Sequence, residues 1–132
     1  VALDGQVIAG VGERVAALSA RLAVHLVTAD THGKAEETSA QIGCHLVRVK
    51  PGDEASQKQA LVERLGASQV VAIGNGANDA RMLSAAALGI AVLGQEGLDP
   101  EALQAADLLV TQIADALDLL LHPQRLVATR RR

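Results

Sequence analysis

The sequence predicts an α/β fold, a parallel sheet with helices on both faces, and three observations predict it. Short apolar runs suited to strands alternate along the chain with segments of helical periodicity. The clearest run, residues 69–74, is too continuous for a surface hairpin, whose strands alternate apolar and polar residues. The core must be assembled from 25 Ala, 19 Leu, 14 Val and 5 Ile, with no Phe, Trp or Tyr. Such small side chains suit thin, closely packed layers and leave aromatic stacking no part in ligand binding.

Residues 12–22 place Val15, Leu18 and Leu22 on one helical face, and 23–28 follow as a strand closed by Ala29, Asp30 and Thr31. Residues 33–42 read as a helix, 44–49 as a strand, and Pro51-Gly52-Asp53 as a turn. The helix 55–65 turns Leu61, Val62 and Leu65 inward and stops at Gly66. Strand 69–74 leads through the loop GNGAND into a helix over 80–88. A strand over 89–94, a short helix over 99–106, a strand over 107–111 and a helix over 114–121 complete the pattern. Pro123 interrupts the last helix, and the chain ends in a short helix or tail. With 132 residues and no linker or repeat, residues 1–132 read as a single domain. Right-handed crossovers would bring the carboxyl ends of the strands together, and a ligand is expected at that edge.

Composition excludes several function classes. A net charge of −3 offers no general basic face for nucleic acid. No apolar run reaches the roughly 18–20 residues of a membrane span. The one cysteine, Cys44, excludes an internal disulfide and a cysteine zinc cage. A cytoplasmic setting is the default for a chain with no visible secretory signal. His25, His32, His45 and His122 show no metal-ligand spacing, and Cys44 reads as buried filler. The apolar helix 117–123 suits either core packing or a homo-oligomer contact, and Arg130-Arg131-Arg132 reads as a solvated tail.

Three segments can carry chemistry. In VVAIGNGANDARML, residues 70–83, Gly74 and Gly76 allow a sharp turn and close approach to a ligand, while Asn75, Asn78 and Asp79 converge at a strand end. The dinucleotide fingerprint G-x-G-x-x-G fails here, because Asp79 stands at the third glycine and would repel a pyrophosphate. Mg²⁺ with phosphate suits the loop better; a turn whose polar residues only cap the helix is the structural alternative. Thr28 at a strand end, with the N–H groups that follow it, can cradle a phosphoryl group, or else Thr28 or Asp30 caps the next helix. Lys58 can neutralise phosphate charge, or stand as a surface lysine.

The order Thr28, Lys58, GNGAND matches the second, third and fourth motifs of the haloacid dehalogenase-like (HAD) hydrolases. VTAD, residues 27–30, resembles a stretch of P-type ATPase phosphorylation domains, and residues 70–94 resemble their GDGxNDxxxL…AxxGIAxG segment. The chain is thus similar to the soluble P-type-ATPase-like branch of that superfamily, from about Asp4 to the RLVAT near its end.

The resemblance implies a three-layer, Rossmann-like domain and Mg²⁺-dependent phosphoryl transfer through an aspartyl-phosphate. Thr28, Lys58 and Asp79 would be catalytic; Thr28, Ala29, Lys58, Gly76 and Asn78 would bind phosphate; Asn75 and Asp79 would hold the metal. Asn75 stands where the family usually has Asp, which removes one charge. At about 4 Å and an effective dielectric of about 20 such a charge is worth roughly 4 kcal/mol before desolvation, so weaker Mg²⁺ binding is expected.

The family's nucleophile loop, D-x-[D/N/T]-G-T, does not occur in this sequence. Residues 1–11 resemble the piece that follows that loop, so the nucleophile and its strand are expected just before Val1, with Asp4 as an ordinary turn residue. The competing alignment makes residues 2–6 an altered loop with Ala2 at the nucleophile position. Loss of a covalent nucleophile can cost on the order of 10⁶ in rate, so residues 1–132 alone are expected to be inactive. Only 29 residues separate Thr28 from Lys58, too few for a cap domain. The resulting site is open, suited to a large phosphorylated substrate or to one covered by a partner. The alternative function is a non-catalytic HAD-like phosphate-binding or regulatory module.

Overall fold

The computed structural model describes residues 1–4, 6–30 and 33–132. They form two compact units, one of residues 1–47 with 113–132, the other of residues 48–112.

The first unit opens with a segment the sequence left unassigned. Strands β1 (Ala2–Leu3) and β2 (Gln6–Val7) pair antiparallel, with Asp4 between them at φ +51°. Asp is among the few side chains that tolerate this left-handed conformation. Gly5, within the residues weighed as an altered loop, lies outside the described residues, as do Thr31 and His32. Helix α1 (Val11–Ser19) buries Val11, Val15 and Leu18. It ends earlier than its periodicity predicts, so Leu22 falls beyond it and is exposed.

Strand β3 (His25–Thr28) pairs with β4 (His45–Arg48). Between them runs α2 (Lys34–Ile42), which closes on Gly43 at φ +72°, the left-handed cap only glycine adopts without strain. His25 and His45 lie on strands as expected, their rings 5.2 Å apart. Cys44 is only partly buried rather than core filler, and partial burial raises its thiol pKa. Near the C-terminus, α6 (Ile113–Leu121) packs on α1, and α7 (Pro123–Arg130) starts on a proline that needs no N–H partner.

Arg14 and Asp118 join α1 to α6 at 2.8 Å. The Arg14 hydrogen bond holds the Asp118 carboxyl below its ordinary value of 3.8, against a smaller opposing effect of desolvation. A carboxyl depressed in the folded state stabilises the fold above its unfolded pKa, and the contribution disappears as pH falls through the lower folded value. Asp118→Asn is therefore expected to lower the urea midpoint at pH 6. The gap to the parent should close as pH drops below about 3.8. A gap independent of pH would contradict this assignment.

The second unit is built on three parallel strands in the order β5 (Val71–Gly74), β6 (Leu88–Val92), β7 (Leu108–Val110). Ala72 stands opposite Gly89, Gly74 opposite Ala91, and Ala91 opposite Leu109. Three helices accompany them: α3 (Glu54–Leu65), α4 (Ala80–Ala85) and α5 (Pro100–Ala105). Their core joins Val62 of α3, Ala72 of β5, Leu83 and Ala86 at α4, and Ala102 of α5. The α3 stripe is narrower than its sequence predicts: Leu61 and Val62 are buried, but Leu65, in the last turn, is 42% exposed. Helix α4 comes so close to β6 that a Cβ on Gly89 would lie 2.5 Å from the Leu83 carbonyl oxygen.

The regular elements are shorter than the apolar runs that predict them. Strand β5 begins at Val71 rather than at residue 69, because a 3-10 turn (Ala67–Gln69) occupies the start of that run. Helix α4 ends at Ala85, where Ala86 takes an extended conformation and feeds β6.

Candidate active site

The second unit gathers Lys58, Asn75, Gly76, Asn78 and Asp79 at the carboxyl end of β5. Strand β5 ends at Gly74, a short 3-10 turn (Ala77–Asp79) follows, and α4 begins at Ala80. Five polar contacts fix the arrangement. Lys58 Nζ donates to Asp79 Oδ1 at 2.7 Å and to Asn78 Oδ1 at 3.2 Å. Asp79 Oδ2 accepts from the backbone N–H groups of Asn75 and Gly76, each at 3.0 Å. Asn78 Nδ2 donates to Glu54 Oε2 at 2.6 Å.

Lys58 and Asp79 are each only 7% exposed. An unpaired charge in such a place would be costly, and each is the other's counter-ion. The surface-lysine alternative for Lys58 is thereby excluded. Among the described residues no buried side-chain nitrogen or oxygen lacks a hydrogen-bond partner. An ammonium carries three N–H donors. Among the described residues two are engaged, and the third N–H meets no acceptor there.

The glycines serve a different purpose from the one their sequence suggests. Gly76 has φ −99°, and Gly74 has no positive φ, so neither is required for a left-handed turn. Gly74 is required for room: a Cβ there would lie 2.6 Å from the Asp79 carboxylate. At Gly76 a Cβ would come within 3.2 Å of Asn78 Oδ1. The Gly76 N–H is directed at Asp79 and is not a donor awaiting a ligand.

Asn75 is held from three directions. Its N–H reaches Asp79, its carbonyl accepts from the Asp99 N–H at 2.8 Å, and its Nδ2 donates to the Gly97 carbonyl at 3.3 Å. The side-chain oxygen accepts no hydrogen bond among the described residues, leaving a neutral oxygen donor at the loop. No three His, Cys, Asp or Glu side chains among the described residues converge as a metal cage. A cation here would therefore rely on Asn75, the charge of Asp79 and oxygens of the ligand itself.

Glu54, Gly97 and Asp99 were missed by the sequence reading. Glu54 was open to detection: four residues before Lys58, it shares that lysine's face of α3. Gly97 and Asp99 enter only through their backbone groups, for which sequence offers no signal.

Thr28 and Ala29 lie in the first unit, at the end of β3. Thr28 Oγ1 accepts from the Asp30 N–H at 3.0 Å, and Asp30 Oδ2 accepts from the Ala35 N–H at 2.9 Å. Neither Thr28 nor Asp30 is the N-cap of α2, which is Gly33, but the Asp30 carboxylate reaches a first-turn N–H of that helix from outside it. The Thr28 hydroxyl proton meets no acceptor among the described residues and remains a donor.

Comparison with known proteins places the chain in a family. The model of the haloacid dehalogenase-like hydrolases matches residues 1–87. An uncharacterised protein of Methanocaldococcus jannaschii is 43% identical over 88 residues, 64% of this chain and 95% of that protein. The fold resembles 3-deoxy-D-manno-octulosonate 8-phosphate phosphatase of Moraxella catarrhalis, solved with magnesium and phosphate ions (TM-score 0.69, 19% identity, 89% of this chain, 74% of that one). It also resembles the catalytic domain of the CPx-ATPase CopB-B (TM-score 0.71, 22% identity), covering 86% of this chain but only 46% of that one. No helix among the described residues is long and apolar enough to cross a membrane. With its family model matched over residues 1–87 and an α/β HAD-like fold, the chain belongs to the haloacid dehalogenase-like hydrolases.

Proposed function

We propose that this chain carries the phosphate-handling residues of a Mg²⁺-dependent phosphohydrolase that works through an aspartyl-phosphate. The observation that supports this reading is Lys58: a buried ammonium at the end of a parallel strand, fixed by two acceptors, with a third N–H that meets no acceptor among the described residues.

In this reading an aspartate attacks phosphorus, the ester oxygen leaves and takes up a proton, and water then hydrolyses the acyl phosphate. Lys58 balances the charge of nucleophile and phosphoryl oxygens. The family resemblance gives Thr28 and Ala29, in the first unit, hydrogen bonds to phosphoryl oxygens, and gives Gly76 and Asn78, in the second, the same ligand. Asn75, through its side-chain oxygen, and Asp79 would hold Mg²⁺, which supplies charge neutralisation when bound. Asp79 is already engaged by Lys58 and two N–H groups, so its main work is to hold Lys58 and the loop in place. The substrate is a phosphate ester, small or macromolecular.

Residues 1–132 contain no D-x-N-G-T loop, so the covalent step needs an aspartate from outside them. A version of the protein carrying a strand with D-x-N-G-T ahead of Val1 is expected to hydrolyse p-nitrophenyl phosphate in Mg²⁺ and to stop in EDTA. Its Asp→Asn version should fall by on the order of 10⁴-fold or more. Phosphate binding without turnover in every such version would replace the catalytic reading with that of a phosphate-binding module.

A further inference from the structure

We infer that Glu54 is a positioning residue for the site lysine, acting through the orientation of the Asn78 carboxamide; the inference rests on the phosphate-handling reading of Lys58. Donor and acceptor parity fixes the orientation of that amide. An ionised carboxylate only accepts hydrogen bonds, and an ammonium only donates them. Asn78 lies between one of each. Glu54 Oε2 takes the Asn78 Nδ2 hydrogen at 2.6 Å, which commits the other end of the amide, Oδ1, to Lys58 Nζ at 3.2 Å. Reversing the amide would place Nδ2 against the ammonium, donor against donor, and carbonyl against carboxylate.

Lys58 is thus held at two of its three N–H positions, by Asn78 and by Asp79, and its third is left with one direction. Without the Asn78 carbonyl, only Asp79 would hold the ammonium, and the anion-facing N–H would lose its aim. Glu54 itself is well seated. It lies in the first turn of α3, where a carboxylate is favoured by the helix dipole. The entry to that helix is clamped by Gln57, whose side chain accepts from the Lys50 N–H at 2.8 Å and donates to the Lys50 carbonyl at 2.9 Å.

Positioning and simple charge predict effects of opposite sign. Glu54 lies beside the lysine that would meet phosphate, so if it acted by charge alone, removing that charge would tighten phosphate binding. Positioning predicts the reverse, because the Gln carbonyl is a weaker acceptor than a carboxylate and its amide can instead donate to Asn78 Oδ1, so the Asn78 amide is held less firmly.

The experiment is a titration of the 132-residue chain and its variants with inorganic phosphate in Mg²⁺, together with NMR of the Asn78 amide and Lys58 ammonium groups. Glu54→Gln is expected to weaken phosphate binding about fivefold, shift the Asn78 side-chain amide signals and speed hydrogen exchange at the Lys58 ammonium. The double variant Glu54→Gln with Asn78→Asp restores the parity at unchanged net charge: Gln donates, and Asp accepts from both sides. Its Lys58 ammonium exchange should return to the parent's rate, whereas its phosphate affinity also reports the new carboxylate at residue 78. Equal or tighter phosphate binding in Glu54→Gln, or no recovery of the exchange rate in a folded double variant, would overturn the inference. If the parent binds no phosphate, the functional reading fails. The NMR signals still decide the positioning role: Asn78 and Lys58 signals unchanged in Glu54→Gln would refute it.

Discussion

Replacing Lys58 with Met is expected to destabilise the protein by about 3–5 kcal/mol, because it strands a buried carboxylate. The Lys58 and Asp79 side chains are 9% and 10% exposed and meet at 2.7 Å. Met keeps much of the lysine stem's volume, so the loss isolates charge from packing. Asp79 would retain only the N–H groups of Asn75 and Gly76. Adding Asp79→Asn to Lys58→Met removes the orphaned charge and should recover part of the loss, though not phosphate binding. Urea titration of the parent, the single and the double variant measures both quantities. A double variant less stable than the single would mean that Asp79 matters to the fold through its loop contacts more than through its charge pair.

The second large effect is expected at Gly89. A methyl there would sit 2.5 Å from the Leu83 carbonyl oxygen and 3.2 Å from its Cα. These are backbone atoms of α4 and cannot swing aside as a side chain would. Leu83 is itself fully buried in the cluster that joins α3, α4, α5 and β5. Gly89 is also fastened to the following segment, its N–H to Asp107 Oδ2 and its carbonyl to the Asp107 N–H, each at 2.8 Å. Helix and strand must therefore separate to admit the methyl. Gly89→Ala is expected to cost about 3 kcal/mol, the upper part of the overpacking range. Differential scanning calorimetry checks it. A midpoint within a degree of the parent would show that α4 shifts freely on β6.

Much of this architecture was legible because period and punctuation agree along the chain. The runs over 69–74, 89–94 and 107–111 became three parallel strands, and the helices fell between them. What was misread has local causes. Leu22 and Leu65 continue their helical stripes in sequence, but α1 ends before the first and the last turn of α3 leaves the second in solvent. The hairpin at Ala2–Leu3 and Gln6–Val7 has two-residue strands, too short to display a period.

At the site, GNGAND and Lys58 were identifiable as residue types, and family order linked them. Their hydrogen bonds were not identifiable. The function of Gly74 is to leave room for a carboxylate five residues on, and that depends on the fold rather than on local conformation. Glu54 stood in view one helical turn before Lys58, yet its partner Asn78 is 24 residues away.

The central claim is that Lys58 and the GNGAND loop receive a phosphate. Its most direct measurement is a titration of the isotopically labelled chain with inorganic phosphate in Mg²⁺, read by amide and ammonium NMR. The account predicts saturable shifts centred on Lys58, Asn75, Gly76 and Asn78, weakened when Mg²⁺ is removed and abolished in Lys58→Met. Saturable shifts elsewhere in the chain with these residues unmoved, or no shifts at all, would contradict it.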